Sequence, residues 1–435
     1  MTRRRAVAAA ALAVLVACAV LALPSCSTRD AGPVTRRVMI IGFDGMEYDV
    51  MGPMLEAGRL PNFARLMHEG AWSEIRSLDI LESPVIWTSI ATGKGPEKHG
   101  ITGFMKPAAR GGDGVPTSSN VRKVAALWDI LAAESKTSGV IGWLATWPAE
   151  PVLGYMVTCN FNFGWDETSD REQRVTYPEE LARALAPLRL QAKDVSADLV
   201  DRFINRRAVR VDDPAKRLES LATDLAGDET TRVVTLQLAR DMPTDLLAVY
   251  FRSVDSPSHT FWVHHFAAQR PAGLPAWEVE AFGGVIPEYY EYTDRVLGEL
   301  LELADENTTV IVTSDHGFRG PSASPKGRVA GVAAHDPTGF MLIWGKDIVH
   351  GCELPDVSVL DITPTVLALW GLPVGEDMDG RVLTDAIEPS FLKAHPVRTI
   401  PTYEDVVKRQ HSDEPIESPV DDEIRERMKA LGYIG

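Results

Sequence analysis

Unbroken apolar runs alternate with helical patterns along most of the 435-residue chain. Residues 37–43 read as a first strand, with Val38, Met39, Ile40 and Ile41 in succession. Similar runs lie at 139–143, 246–251, 309–313 and 340–344. Between them, apolar positions recur at helical spacing over 124–133, 287–304 and 361–370. Strands that are apolar at every position, rather than at every second one, are those covered on both faces. The pattern therefore predicts an α/β domain over 37–385, with a mainly parallel central sheet and helices on both faces. Residues 160–240 break the rhythm. They are charged and helical in pattern, with candidate helices at 178–186, stopped by Pro187, and at 215–239. This stretch is expected to be a helical cap or insertion over the sheet edge. The tail, 386–435, is rich in proline and charge and ends in an amphipathic pattern over 421–431.

The N-terminus has a different pattern. Arg3, Arg4 and Arg5 precede an apolar, alanine-rich run over 6–23, and Leu23-Pro24-Ser25-Cys26 follows at once. A positive start and an apolar stretch of this length read as a secretory signal over 1–26. The box ending in Cys26 resembles a bacterial lipoprotein signal, which would make Cys26 the lipidated first residue. The alternative is an uncleaved anchor, since the run is just long enough to span a bilayer. Either way the body is expected outside the cytoplasm, attached to the membrane of a bacterial envelope, with 27–36 as a short tether. Cys159 and Cys352 are then left, either paired or as buried thiols; neither belongs to a CxxC pattern. Asp and Glu number 61 against 44 Lys and Arg, a net charge of -17. Loss of 1–25, with three arginines and no acid, would carry it near -20. That balance argues against nucleic acid as a partner. A small phosphorylated substrate remains compatible, because bound cations invert the field locally.

The candidate chemistry falls beside the strand-like runs. Asp44 follows the first, and Asp315 and His316 follow the run at 309–313. Ligands of open α/β sheets gather at the carboxyl ends of strands. Asp255 and His259 follow the run at 246–251 and stand four residues apart, a workable chelate spacing; His335 could complete three ligands. Each pair alone could equally be a solvated turn. Together they supply enough oxygen and nitrogen donors for two divalent ions, of types that suit zinc. Ser83-Pro84 opens the apolar stretch 85–91, and Thr92-Gly93 closes it. Serine is a favoured N-cap and proline a favoured first helical residue. The serine is thus either a simple cap or a nucleophile placed at a helix N-terminus, where an anion is welcome. Thr88, inside the same helix, is the second candidate nucleophile.

The ordered set of these motifs resembles the type I phosphodiesterase/nucleotide pyrophosphatase family of the alkaline phosphatase superfamily, over about 37–385. The landmarks are Gly42-Phe43-Asp44-Gly45, Ser83 through Thr92-Gly93, and Pro96-Glu97-Lys98-His99-Gly100-Ile101. Asp255 with His259, Ser314-Asp315-His316-Gly317 and His335 follow in order, as do Asp361-Ile362-Thr363-Pro364-Thr365 and Asp377-Met378-Asp379-Gly380. The resemblance implies an alkaline-phosphatase-like fold and a hydrolase of phosphoric esters. It implies one ion on Asp44, Asp315 and His316 with Ser83 beside it, and a second on Asp255, His259 and His335. Ser83 would attack phosphorus and form a covalent phospho-enzyme that water then hydrolyses.

Two departures stand out. Many relatives carry threonine where this chain has Ser83. Nucleotide pyrophosphatases place an asparagine where Phe104 stands, and a phenyl ring cannot donate its hydrogen bond; Asn160 and Asn162 are other candidate donors. Three further readings remain: a phosphotransferase, a sulfatase or phosphonate hydrolase on the same fold, and a non-catalytic lipid-anchored binding protein. Sulfatases need x-Pro-x-Arg after the modified residue, whereas Pro84-Val85-Ile86-Trp87 follows Ser83.

Overall fold

In the computed structural model, which describes residues 36–106, 114–163, 174–210, 213, 216–319 and 334–430, ten strands join in one sheet. In chain order they are β1 (Arg37–Phe43), β2 (Ala71–Arg76), β3 (Ser138–Ile141), β4 (Gly154–Val157), β5 (Thr176–Tyr177), β6 (Leu246–Phe251), β7 (Thr308–Thr313), β8 (Thr338–Gly345), β9 (Cys352–Glu353) and β10 (Val357–Ser358). The path across the sheet is β9-β2-β8-β7-β1-β6-β3-β4-β5, with β10 also on β2. Neighbours β7, β1, β6, β3 and β4 are parallel. β8 runs antiparallel between β7 and β2, and β5 antiparallel beside β4. The sheet is thus mainly parallel at its centre, as the apolar runs predict.

The helices that matter for the site are α1 (Tyr48–Glu56), α2 (Pro61–Glu69), α3 (Ser83–Thr92), α4 (Leu127–Ala133), α5 (Arg217–Asp241), α6 (Asp255–His265), α7 (Val285–Leu301), α8 (Ile362–Leu369) and α9 (Asp421–Ala430). Side chains alternate across a strand, and β1 shows why its run is continuous. Met39, Ile41 and Phe43 enter a core with Met51, Leu66, Leu225, Phe261 and Leu297, from α1, α2, α5, α6 and α7. Val38 and Ile40 enter the opposite core with Ile86, Ile130 and Val366, from α3, α4 and α8.

Within 160–240, the first expected helix is short. It covers Leu181–Leu185 and passes into a 3-10 turn, Ala186–Leu188. Pro187 lies in the first positions of that turn, where its missing N–H costs nothing. The second expected helix is α5, whose Leu221, Leu225, Val234 and Leu238 are buried in the first core. The tail is built into the body as well. Phe391 and Tyr403 are buried in the second core, Glu404 pairs with the buried Lys94, and Arg409 reaches Glu150.

Cys159 and Cys352 are free thiols. Cys159 follows β4 and Cys352 lies in β9, seven strand spacings away, roughly 30 Å, so the expected alternative of a bridge is excluded. Residues 1–35, with the expected signal, Cys26 and all but one residue of the tether, lie outside the described residues. Among those described, no helix is long and apolar enough to cross a membrane.

Candidate active site

Three adjacent parallel strands, β7, β1 and β6, end at one level. Phe43 pairs in register with Phe251, and Gly42 with Thr313. Each strand then delivers its polar residues to the same place: Asp44 after β1, Asp255 after β6, and Asp315 with His316 after β7. The joints are hydrogen-bonded. Asp44 N–H donates to the Phe251 carbonyl at 3.1 Å, and Asp255 N–H to the Asp44 carbonyl at 3.1 Å. Gly45 N–H donates to Asp315 Oδ1 at 3.3 Å. Two glycines make this crossing possible. A Cβ on Gly42 would lie 2.5 Å from the Trp87 ring, and Gly45, at φ 72°, has Asp255 Cα 2.9 Å from where a Cβ would stand. Asp255 opens α6, so His259 follows it on the same helix face one turn on. His335 arrives differently: Gly317–Arg319 pairs antiparallel with Ala334–Asp336, setting Phe318 opposite His335.

The donor atoms form two groups. Asp255 Oδ1 stands 3.3 Å from both His259 Nε2 and His335 Nε2, and the two nitrogens are 3.1 Å apart. His316 Nε2 stands 3.3 Å from Asp44 Oδ1, 3.5 Å from Asp315 Oδ2 and 3.8 Å from Asp255 Oδ1. Donors held about 2.0–2.1 Å from a tetrahedral zinc ion are, by that geometry, about 3.3–3.4 Å from one another. The first group shows this spacing, and in the second His316 Nε2 stands at it or up to half an ångström beyond it from each carboxylate. Asp255 borders both, and it joins Asp44 and His316 in one possible ligand set and His259 and His335 in the other.

The surroundings aim these donors. His316 Nδ1 faces the Gly317 carbonyl at 3.0 Å, and His335 Nδ1 faces the Leu81 carbonyl at 2.8 Å. A carbonyl only accepts, so each Nδ1 carries a proton and Nε2 is the nitrogen left for a metal ion. Asp44 Oδ2 accepts from Tyr250 Oη at 2.6 Å and from Trp87 Nε1 at 3.2 Å. That leaves Asp44 Oδ1 buried with no hydrogen bond, and Asp315 Oδ2 is in the same state. Burial, then the charges of Asp315 and Asp255, push the Asp44 carboxyl well above the usual carboxylate range. Burial chiefly, with Asp255 adding, raises Asp315 to about 6. Burial, with His335, holds His316 well below the ordinary imidazole value. Against burial, His259 and His335 hold the Asp255 carboxyl well below the usual range, and Asp255 in turn raises His335. Three carboxyl groups crowded into one buried site are costly unless cations lie among them. The residues fit two divalent ions in number, type and spacing.

Ser83 meets this cluster from the opposite face of the sheet. It is the first residue of α3, with Pro84 second and Glu82 in the capping position. The expectation of Ser83 as N-cap is therefore corrected by one residue. Its hydroxyl makes no capping bond and lies 3.5 Å from His316 Nε2. α3 is buried along its length and ends at Gly93, φ 67°. Thr88, the second candidate, is one turn deeper, and its hydroxyl donates to the Pro84 carbonyl at 2.7 Å. It faces its own helix backbone.

Ser83 and Asp44 share a cleft with Phe104, Leu144, Tyr250, Arg252, Asp255, Ser256, Arg427 and Met428. Phe104 stands in the wall, and its N–H donates to Glu82 Oε2 at 2.8 Å. Neither Asn160 nor Asn162 lines the cleft; Asn162 donates to Gly227 O and Thr231 Oγ1 instead. His99 shapes the turn after α3: its Nδ1 accepts from Ile101 N–H, its Nε2 meets Ser89 Oγ at 2.9 Å, and burial lowers its pKa to about 3. His264 is buried against Glu278. The residues that pattern alone missed are Trp87, Tyr250, Arg252, Ser256, Arg427 and Met428. Tyr250 is hidden in an apolar strand and Arg427 on a surface-like helix. Arg252 carried a usable signal, since it directly follows a strand that ends at the site.

Residues 38–332 match the family model described as type I phosphodiesterase / nucleotide pyrophosphatase. A stretch of 116 residues is 30% identical to a 2,3-bisphosphoglycerate-independent phosphoglycerate mutase from Cyanothece sp.. The match covers 25% of this chain and 21% of that enzyme, so the chain spans about a fifth of the curated relative it matches. Among solved structures, human ectonucleotide pyrophosphatase / phosphodiesterase 5 aligns with a TM-score of 0.49 at 13% identity, over 81% of this chain and 100% of that one. The murine form, inactive and in complex with AMP, aligns with a TM-score of 0.46 at 14% identity, over 78% and 95%.

Proposed function

The chain belongs to the type I phosphodiesterase / nucleotide pyrophosphatase family, and from that premise we propose that it is a phosphoester hydrolase using two divalent metal ions and Ser83 as nucleophile. One observation carries the reading. Two groups of buried ligand atoms at zinc-like spacing lie beside a serine hydroxyl that no cap or backbone group engages. Asp44, Asp315 and His316 would hold the first ion, and Asp255, His259 and His335 the second. When bound, such ions acidify a nearby hydroxyl and stabilise both the attacking and the leaving oxygen. The protein does the rest. The start of α3 fixes the Ser83 oxygen and turns its positive end toward the phosphoryl group. Ser83 Oγ gives up its proton and forms a bond to phosphorus as the ester oxygen leaves with the bonding pair and takes up a proton. Water then breaks the Ser83–phosphorus bond and returns the hydroxyl. Tyr250 and Trp87 hold Asp44 in one orientation throughout.

The proposed location is outside the cytoplasm, attached through a lipid on Cys26. The arginine start, the apolar run and the box ending at Cys26 support it. The substrate is a small phosphorylated molecule, and Phe104 in the wall speaks against the asparagine contact used for nucleotides. Zinc-loaded protein assayed on nitrophenyl phosphate mono- and diesters tests the activity. Turnover is expected with at least one class, and Ser83→Ala should abolish it while keeping its metal. No turnover across a wide ester panel would refute the reading.

A further inference from the structure

One wall of the cleft carries two guanidinium groups, of which only one is ion-paired among the described residues. Arg252 directly follows β6 and Arg427 comes from α9, 175 residues later; both line the cleft with Ser83. Arg427 donates to Asp224 Oδ1 at 2.8 Å, and Ser256 Oγ donates to the same oxygen at 2.7 Å. The Arg252 guanidinium has no hydrogen bond or ion pair among the described residues and lies 4.8 Å over the Phe163 ring. Asp224 thus pairs with Arg427 alone, while both Asp224 and Asp228 lie within electrostatic reach of the two guanidinium groups. Asp228, the other acid of α5 nearby, accepts from Ser253 N–H instead. Guanidinium groups with planar donors are suited to phosphate and carboxylate oxygens.

The element that brings Arg427 is held as a strap. Val420 and Ile424 pack on Phe163 in a small cluster of their own, with Met428 against it, and Arg425 donates to the Gly114 carbonyl at 3.2 Å. Phe163 therefore meets both segments: its ring lies under Arg252, and Val420 and Ile424 of the tail pack on it. Residues 421–430 lie beyond the family match, which ends at 332. Whatever Arg427 recognises belongs to this chain's own tail rather than to the matched region.

We propose that Arg252 and Arg427 form an anion subsite that selects substrates carrying a second negative charge beyond that of a phosphodiester group. This rests on the hydrolase reading of the preceding subsection. The second charge can sit on the phosphoryl group itself, as in a phosphomonoester dianion. It can also sit on the arm that a diester retains, as a carboxylate or phosphate. Arg427 thereby determines specificity, while Ser83 and the metal ligands carry the chemistry.

Three substrates with one leaving group separate these cases: 4-nitrophenyl phenyl phosphate, its 4-carboxyphenyl counterpart, and 4-nitrophenyl phosphate. The zinc-loaded wild type is expected to show a higher kcat/KM on one or both of the doubly charged substrates than on the first. Arg427→Met should cut that preference about tenfold or more, mainly through KM. Arg427→Lys should restore part of it. Lys429→Met, an exposed charge on the same helix, should leave the preference unchanged. A gain confined to the carboxylated diester assigns the subsite to the retained arm; a gain confined to the monoester assigns it to the phosphoryl oxygens. A wild type that turns over esters but prefers the singly charged one overturns the proposal, and so does a preference that survives in a folded Arg427→Met. No turnover of any ester by the wild type would instead defeat the hydrolase reading on which it rests.

Discussion

Asp44 shows how much of this site depends on the residues that orient its donors. One of its oxygens is taken by Tyr250 and Trp87, and the other is left bare toward His316. Burial and Asp44 together push the Tyr250 hydroxyl well above its usual pKa, so it stays protonated and remains a donor. Tyr250→Phe keeps the ring and removes one charge-assisted hydrogen bond. Partners of this kind typically govern metal affinity or activity by about 10–100-fold. Zinc titration of the variant should show a loss in that range, with an unaltered fold by circular dichroism. An unchanged zinc affinity would mean that Trp87 alone orients the carboxylate. Trp87 has a second task, since its carbonyl accepts from Trp143 Nε1 at 3.0 Å, and so it is the less clean site for this test.

At the scale of elements, β1, β6 and β7 decide where the chemistry lies, because three neighbouring parallel strands end together. Gly42 is the tightest point of that arrangement. Gly42→Ala would drive a methyl into the Trp87 ring, and overpacking of this kind costs about 1–3 kcal/mol. Urea unfolding should show a lower midpoint with an unchanged slope. These strands were legible in the sequence because burial on both faces makes them apolar at each position. The candidate ligands after them were legible because strand ends are where a parallel sheet exposes polar groups. The start of α3 was legible to within one residue: Ser83-Pro84 announces a helix, but the choice between cap and first turn depends on tertiary bonds. Much less could be read in 160–240 and in the tail. α5 buries Asp224 and Asp228 along with its apolar residues, and α9 has a polar surface and only two buried residues. Periodicity says that such segments are helical; it does not say what they pack against.

Across the whole molecule, the cluster ties together segments far apart in sequence, from Asp44 to His335. A cation that binds this folded arrangement and not the unfolded chain stabilises the protein, by about 2.7 kcal/mol at a hundredfold excess over Kd. Chelation should therefore lower Tm by several degrees, and added zinc should restore it in proportion to two ions per chain by elemental analysis. A Tm indifferent to chelator would speak against resident metal. The tail adds a second long-range closure, since it crosses the second core and ends with Arg427 in the cleft wall. The proposed mechanism stands on the oxygen that first attacks phosphorus. Acid-quenched, zinc-loaded protein, trapped during turnover and digested for mass spectrometry, should carry the transferred phosphoryl group on the peptide containing Ser83. Turnover with that peptide unmodified, or with the phosphoryl group on another residue, would contradict it.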